Sequence, residues 1–219
     1  MRTYLKLAIT ALVATAALAA LVSTASAGRL SISNQNFRVS YSSLEFAGPV
    51  TVRCGVTLEG SFHTRTIAKT IGSLIGYITR VIVRRPCTNG SAWAHNGEAN
   101  EVLGGTFSNN LPWHVHYNGF EGTLPNISAI GLLLDEALFT IRAPFFGIPI
   151  LCEFITTNTN GNATGNALRE AGGALTTLVP SGRIRSNTVG CPEGAFRAPA
   201  NDGTIALLGT TTKITVTLI

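Results

Sequence analysis

The sequence predicts an all-β protein, either an antiparallel β-sandwich or a closed β-barrel of about ten short strands, with little helix. Three observations predict this fold class. Apolar and polar residues alternate with a period of two, turn-forming residues separate the alternating segments, and helical periodicity is scarce. The clearest alternating segments are Phe37–Tyr41, Val50–Cys54, Trp113–Tyr117 and Ile214–Leu218.

Further short runs are rich in β-forming residues and are also predicted as strands. They are Gly55–His63, Tyr77–Val83, Ile127–Leu134, Ala137–Arg142, Ile148–Phe154, Ala174–Val179 and Thr204–Leu208. Two passages are candidates for helix, Thr66–Ile75 and Ala129–Leu138, and the second is favoured as strand because β-branched and turn residues surround it. Segment Thr156–Ala167 lacks apolar periodicity and is rich in Asn and Gly, which predicts a loop.

The N-terminal 27 residues have the features of a secretory signal peptide. Arg2 and Lys6 precede the apolar run Leu7–Val22, and Ala25-Ser26-Ala27 is a cleavage site with small residues. The run is shorter than the roughly 20 residues of a spanning helix, and no Cys directly follows the site to carry a lipid. We therefore expect cleavage after Ala27 and a secreted or envelope-associated protein, with an uncleaved N-terminal anchor as the alternative.

The length and charge of the remaining chain limit its class. Residues 28–219 are predicted to form a single disulfide-stapled β-domain. Only 12% of the 219 residues are charged, against roughly 25% in ordinary domains, yet the composition is neither disordered nor collagen-like. Without Arg2 and Lys6 the 16 basic residues become 14 against 11 acidic ones, a net charge of +3. These basic residues are scattered, so the sequence predicts no nucleic-acid partner.

All four cysteines follow the predicted leader: Cys54, Cys87, Cys152 and Cys191. An even number of cysteines in an exported chain predicts two disulfides. Three pairings are possible, and the nearest-in-sequence one, Cys54 with Cys87 and Cys152 with Cys191, is favoured. No CxxC motif occurs, so the predicted bridges are structural rather than redox-active.

The segment Leu111–Ile127 is the most distinctive in the chain. On a strand, His114 and His116 would share one face, while Trp113 and Tyr117 would share the other. Two imidazoles could supply half of a metal site. The candidates for a third ligand are His63, His95, Glu98, Glu101 and Glu121. Their spacing selects none of them, so we favour a polar outer face with Trp113 and Tyr117 as core anchors, and assign no metal or other cofactor.

No nucleophile, nucleotide-binding or calcium motif is present, and no catalytic residue is assigned. Asp135 and Glu136 are adjacent, so on a strand they would face opposite ways and could not flank one bond. Ser73 directly follows Gly72 and does not fit Gly-x-Ser-x-Gly. The alternative function is a secreted hydrolase whose site is assembled from distant residues, namely His63, His114, His116 and Glu121.

Phe145 and Phe146 lie between Pro144 and Pro149, in a loop that could contact an apolar ligand or a cell-envelope component. We favour the alternative that one of the two Phe side chains caps the core at a strand end. A third function, a lipid-facing or pore-forming β-protein, would need a continuous apolar belt on the outside of a closed barrel.

The runs CGVTLEGS (Cys54–Ser61), LIGYIT (Leu74–Thr79) and especially Leu111–Ile127 resemble a family of uncharacterised exported bacterial β-rich proteins. The resemblance covers most of the chain after the leader and implies export and a β-fold, with no activity, ligand or catalytic residue. The sequence therefore predicts an exported, non-catalytic binding or structural module of the extracellular space or envelope. The residues expected to determine its shape are the four cysteines, Trp113, Tyr117 and Phe120.

Overall fold

The computed structural model of the protein describes residues 28–99, 104–157 and 163–219. The predicted signal peptide, residues 1–27, lies outside the described residues. The described part is nearly all β, which confirms the predicted fold class. Its sixteen strands are β1 (Arg29–Ile32), β2 (Asn36–Ala47), β3 (Val52–Phe62), β4 (Thr66–Ala68), β5 (Leu74–Thr88), β6 (Ser91–Ala94), β7 (Trp113–Thr123), β8 (Asn126–Asp135), β9 (Leu138–Phe145), β10 (Ile148–Ile155), β11 (Ala163–Arg169), β12 (Leu175–Ser181), β13 (Arg183–Ser186), β14 (Gly194–Arg197), β15 (Thr204–Leu207) and β16 (Val216–Leu218).

Eight strands close an antiparallel barrel in the order β15-β12-β11-β8-β7-β5-β3-β2. Closure comes from the pairing of β15 with β2, from Thr204 opposite Ser40 to Leu207 opposite Phe37. The structure thus selects the barrel over the sandwich. The described residues form sixteen strands rather than the ten or so predicted. Several strands are also long, because β2, β3, β5, β7 and β8 each have ten residues or more.

A second group of strands extends the sheet beyond the barrel. Strands β14, β13, β10, β9 and β6 follow β2 in that order. The start of β2 pairs with β15, whereas its end pairs with β14, with Ala195 opposite Ala47. A register shift between Tyr41 and Leu44 separates the two parts of β2. Such a bulge bends a strand and changes its partner, so β2 belongs both to the barrel and to the second group of strands.

A small sheet of β16, β1 and β4 joins the two ends of the described chain. Leu30 pairs with Leu218 on one side and with Ile67 on the other. The side chains of Leu30 and Val216 are fully buried and belong to the same apolar core as the barrel strands. The terminal strands are therefore packed into the fold.

Two disulfides fasten neighbouring parts of the chain. Cys54 on β3 is bonded to Cys87 on β5, and Cys152 on β10 is bonded to Cys191 in the segment after β13. This is the pairing that the sequence analysis favoured. Two disulfides are compatible with an oxidising environment outside the cytoplasm.

Two local predictions need correction. The segment Thr66–Ile75, a candidate helix, forms β4, a turn and the start of β5, with Gly72 at a φ of 82° in the turn. The predicted loop Thr156–Ala167 is wrong from Ala163 onwards, where β11 begins. Its inward positions are the small residues Ala163, Gly165 and Ala167, which leave no apolar alternation to detect. Positions 158–162 lie outside the described residues.

We expect Gly60→Ala to lower the free energy of unfolding by about 2 kcal/mol, because it overpacks the contact between β3 and β5. A methyl group on Gly60 would collide with the carbonyl oxygen of Tyr77 and would lie 2.8 Å from Cζ of Phe37. Urea unfolding measures the change. The control is Gly48→Ala, whose methyl group meets nothing closer than 3.8 Å and should change stability little. Equal stabilities for the two variants would contradict the close approach at Gly60.

Candidate functional site

The barrel encloses an apolar cavity of about 100 Å³. Each barrel strand contributes at least one inward side chain, because alternate residues of a strand face the same side. One such residue from each strand, in chain order, is Phe37, Leu58, Ile78, Val115, Leu132, Ala163, Leu175 and Ile205. The cavity is therefore a product of barrel closure rather than of any single segment.

Small side chains on β11 leave this space open. Ala163 and Ala167 line the cavity and are buried. The neighbouring inward positions on β8 and β12 carry Leu132 and Leu178. An eight-stranded barrel has an interior that ordinary side chains just fill. Two Ala residues on one strand are thus enough to leave an unfilled volume beside it.

The polar side chains that line the cavity are already satisfied. The Tyr41 hydroxyl donates a hydrogen bond to the carbonyl oxygen of Leu178 at 3.0 Å. Burial, with a smaller contribution from the nearby Asp202 carboxylate, raises the pKa of Tyr41 far above its usual value, so the phenol stays neutral. The Thr164 hydroxyl lies 2.8 Å from the Ser181 hydroxyl. The described lining therefore offers a ligand apolar contact rather than a charged or hydrogen-bonding anchor.

The cavity reaches the surface between β8, β11 and β12. Its lining there consists of half-buried residues, Leu132, Leu133 and Leu134 on β8, Thr164 on β11, and Leu178 and Pro180 on β12. Elsewhere the lining belongs to the buried core. A ligand would enter beside the two small residues of β11.

The two histidines of β7 lie together on the outer face, as their spacing predicted. Their ring centroids are 6.2 Å apart. Nδ1 of His114 is 3.4 Å from a carboxylate oxygen of Glu136, and Nδ1 of His116 is 2.9 Å from the carbonyl oxygen of Gly72. On the opposite face Trp113 and Tyr117 are 0% and 1% exposed, so both anchor the core.

The other proposed metal ligands do not complete a site with this pair. His63 packs against Tyr77 with the two rings tilted and their centroids 4.6 Å apart, and Glu98 is exposed at the edge of a groove beside Phe107. Glu121 is five residues beyond His116 on β7 and accepts a hydrogen bond from Asn166. Among the described residues, which do not include Glu101, no group of three or more His, Cys, Asp or Glu could hold a metal ion.

Phe120, which the sequence predicted as a shape-determining residue, lies outside the buried core. Its side chain is 37% exposed, and the Lys69 ammonium lies 5.9 Å from its ring centroid. A half-exposed ring covered by a cation contributes to the outer surface of β7.

A cluster around His95 was not found from the sequence, which named His95 only as a possible metal ligand. The imidazole is buried, with Nδ1 3.2 Å from the Ser108 hydroxyl and Nε2 2.8 Å from the Thr140 hydroxyl. A carboxylate oxygen of Glu153 lies 3.7 Å from Nε2. These residues come from separate segments and meet only in the folded chain, so no spacing motif could have identified them.

Burial lowers the pKa of His95, and the Glu153 carboxylate opposes this effect. The imidazole is therefore neutral near pH 7, and the two hydroxyls satisfy both of its nitrogens. The same contacts place the imidazole of His95, a base, beside the hydroxyl of Ser108, which is an exposed residue.

No protein family, curated protein or solved structure matches the chain. No helix in the described ranges is both long and apolar enough to cross a membrane.

We expect His95→Gln to weaken the pH dependence of stability on the acid side. Because the pKa of His95 is lower in the folded state, the unfolded chain binds protons more readily. The stability that neutral His95 contributes to the folded state is fully present above the pKa of His in the unfolded chain, about 6.5. It is lost as pH falls towards the lower pKa of His95 in the folded state. Urea unfolding across this pH range measures it, with His63→Gln at the surface as the control. An unchanged acid slope in His95→Gln would contradict this assignment.

Proposed function

We propose that the protein is an exported, non-catalytic binding module that holds a small, uncharged apolar ligand inside the barrel. The observation that carries the proposal is the cavity of about 100 Å³. Apolar cavities in proteins stay dry and take up hydrocarbons, as an engineered cavity of about 150 Å³ does with benzene. A dry cavity also offers a charged ligand no compensation for its lost hydration.

The size of the cavity limits the ligand class. It fits a small hydrocarbon, or the alkyl or aryl end of a larger molecule whose remainder stays at the opening beside Leu134 and Pro180. Selection would rest on shape and size, because the Tyr41 and Thr164 hydroxyls are engaged within the protein. Contact without polar anchors gives broad rather than narrow chemical specificity.

Export forms part of this proposal. The signal-peptide features of residues 1–27 support it, and the two disulfides are compatible with an extracellular or envelope location. The resemblance to exported bacterial β-rich proteins also supports export, and it implies no activity.

The outer surface of the barrel supports a binding module over a lipid-facing or pore-forming protein. On β2, β3 and β5 that surface carries Arg38, Glu59 and Arg80, with Glu59 oxygens 2.7 Å from Arg38 and 3.2 Å from Arg80. Although burial acts against it, hydrogen bonds from the two guanidinium groups keep the pKa of Glu59 below its usual value. A charged cluster therefore occupies three adjacent strands where a lipid-facing protein would need an apolar belt.

One observation favours a second candidate function, a secreted hydrolase. Ser108, His95 and Glu153 have the order of contacts of a nucleophile, a base and an orienting acid. In that chemistry Ser108 Oγ would bond to an acyl carbon and pass its proton to His95 Nδ1. The leaving group would take that proton, and water would then hydrolyse the acyl-serine. This site contains none of the residues of the hydrolase site predicted from the sequence, which were His63, His114, His116 and Glu121.

We expect Ala167→Leu to abolish binding of toluene and to raise the free energy of unfolding by about 1 kcal/mol, because it fills the cavity with apolar atoms. Calorimetric titration of the purified exported protein with toluene measures the binding. The control, Ala206→Leu on β15, adds the same atoms next to the cavity-lining Ile205 but on the other face of the strand. Saturable binding should survive in the control. No binding by the unmodified protein, or equal binding by both variants, would contradict the proposed function.

We expect a fluorophosphonate probe to leave the protein unlabelled, because the proposed function uses no nucleophile. Intact-mass measurement checks this. Stoichiometric labelling that disappears in both Ser108→Ala and His95→Gln would instead favour the hydrolase. Ser181→Ala is the control, since its hydroxyl contacts Thr164 at the surface and lies in no such cluster.

A further inference from the structure

The hairpin of β9 and β10 ends in an exposed apolar tip. Residues 143–150, which read APFFGIPI, contain no charged side chain. Phe146 is 92% exposed and Ile148 is 67% exposed. Phe145 lies at the edge of a groove formed with Gly48 and Glu193, so it packs at the base of the tip. Phe145 is half-buried in that groove, and the apolar core includes neither Phe145 nor Phe146.

The turn at the tip holds Phe146 in an unfavourable conformation. Its φ is 50° and that of Gly147 is 81°, so both central residues of the two-residue turn are in the left-handed region. Turns of this kind strongly prefer Asn followed by Gly, whereas a bulky side chain there is an outlier. An exposed Phe at a site where Asn would be both more stable and more soluble indicates a function for the side chain.

The hairpin is ordered up to this turn, so the tip is presented rigidly. The two strands pair without a break from Leu138 opposite Ile155 to Phe145 opposite Ile148. Pro144 and Pro149 face each other one step behind the tip. A proline has no backbone N–H group. The tip therefore has two fewer hydrogen-bond donors that would need a partner when it leaves water.

The charges behind the tip favour an anionic surface. Arg142 is exposed, lies opposite Leu151 and has no acidic partner among the described residues. It is three residues behind Phe145, a distance of about 10 Å along a strand. Glu193 beside the groove is neutralised by Arg185 at 3.0 Å. Glu153, the acidic residue of β10, is five residues behind Ile148, or about 17 Å.

We propose that this tip inserts into the surface of an anionic phospholipid bilayer. Phe146 and Ile148 enter the boundary between headgroups and acyl chains, and Arg142 contacts lipid phosphates. Interfacial segments insert to a depth of about 5–10 Å, which matches the distance from the tip to Arg142. The protruding, convex shape suits a fluid surface that closes around it. None of residues 143–150 lines the cavity, so this proposal goes beyond ligand binding and does not depend on it.

The first test is co-sedimentation of the purified exported protein with vesicles of equal parts phosphatidylcholine and phosphatidylglycerol. We expect binding that weakens with added salt, and a loss of affinity of about tenfold or more in Phe146→Asn, because a large apolar side chain no longer leaves water. Asn followed by Gly suits the turn, so this variant should fold at least as well as the unmodified protein. The matched control is Ile71→Asn, which removes a 72% exposed apolar residue elsewhere and should bind like the unmodified protein.

Two further variants locate the contact. Phe146→Trp should give a blue-shifted emission on vesicle addition, against the steady signal of the buried Trp93 and Trp113. Arg142→Gln should lose binding to the anionic vesicles down to the level seen with pure phosphatidylcholine. No vesicle binding, equal binding by Phe146→Asn, or an unshifted emission would overturn the proposal. A different outcome would also overturn it: the unmodified protein is a dimer in sedimentation velocity, Phe146→Asn is a monomer, and neither binds vesicles. The tip would then join two copies of the chain.

Discussion

The closed barrel depends on how one carboxylate holds the bulge in β2. Asp202, in the turn before β15, accepts hydrogen bonds from the amides of Ser42 at 2.7 Å and Ser43 at 2.8 Å. These are the bulge residues, which have no register partner on β3. Burial acts to raise the pKa of Asp202, but the amides of Ser42, Ser43 and Gly203 outweigh it and keep the pKa low. The charge therefore stays in place while it satisfies amides that the sheet leaves unpaired.

The barrel and the second group of strands both depend on this bulge. Before it, β2 pairs with β15 and completes the barrel; after it, β2 pairs with β14 and starts the second group of strands. Closure removes the free edges that an open sheet of eight strands would expose. It also aims one face of every strand at a single interior, where the two Ala residues of β11 leave the cavity. The cavity is thus a consequence of backbone pairing, and no polar sequence motif marks it.

The fold class could be predicted from the sequence because segments such as Phe37–Tyr41 alternate clearly, and the burial of Trp113 and Tyr117 followed from the same period. Strand β11 could not be predicted, because its Ala, Gly, Asn and Thr residues do not alternate between clearly apolar and clearly polar side chains. Barrel closure joins Ser40 to Thr204, and the His95 cluster joins four segments, so neither has a local signal. The exposure of Phe146 depends on hairpin length and turn conformation, which composition does not reveal.

Scarce charge connects the two proposed contacts. Among the described residues, Glu59, Glu45 and Asp202 are engaged with Arg side chains or backbone amides. The chain after the predicted leader keeps an excess of basic residues. It combines an uncharged apolar hairpin tip, residues 143–150, with a barrel whose interior is apolar. Apolar ligands partition into membranes, where their concentration far exceeds that in water. A module that binds the bilayer through its hairpin would meet its ligand at that higher concentration, so a cavity with only apolar contacts would suffice for occupancy.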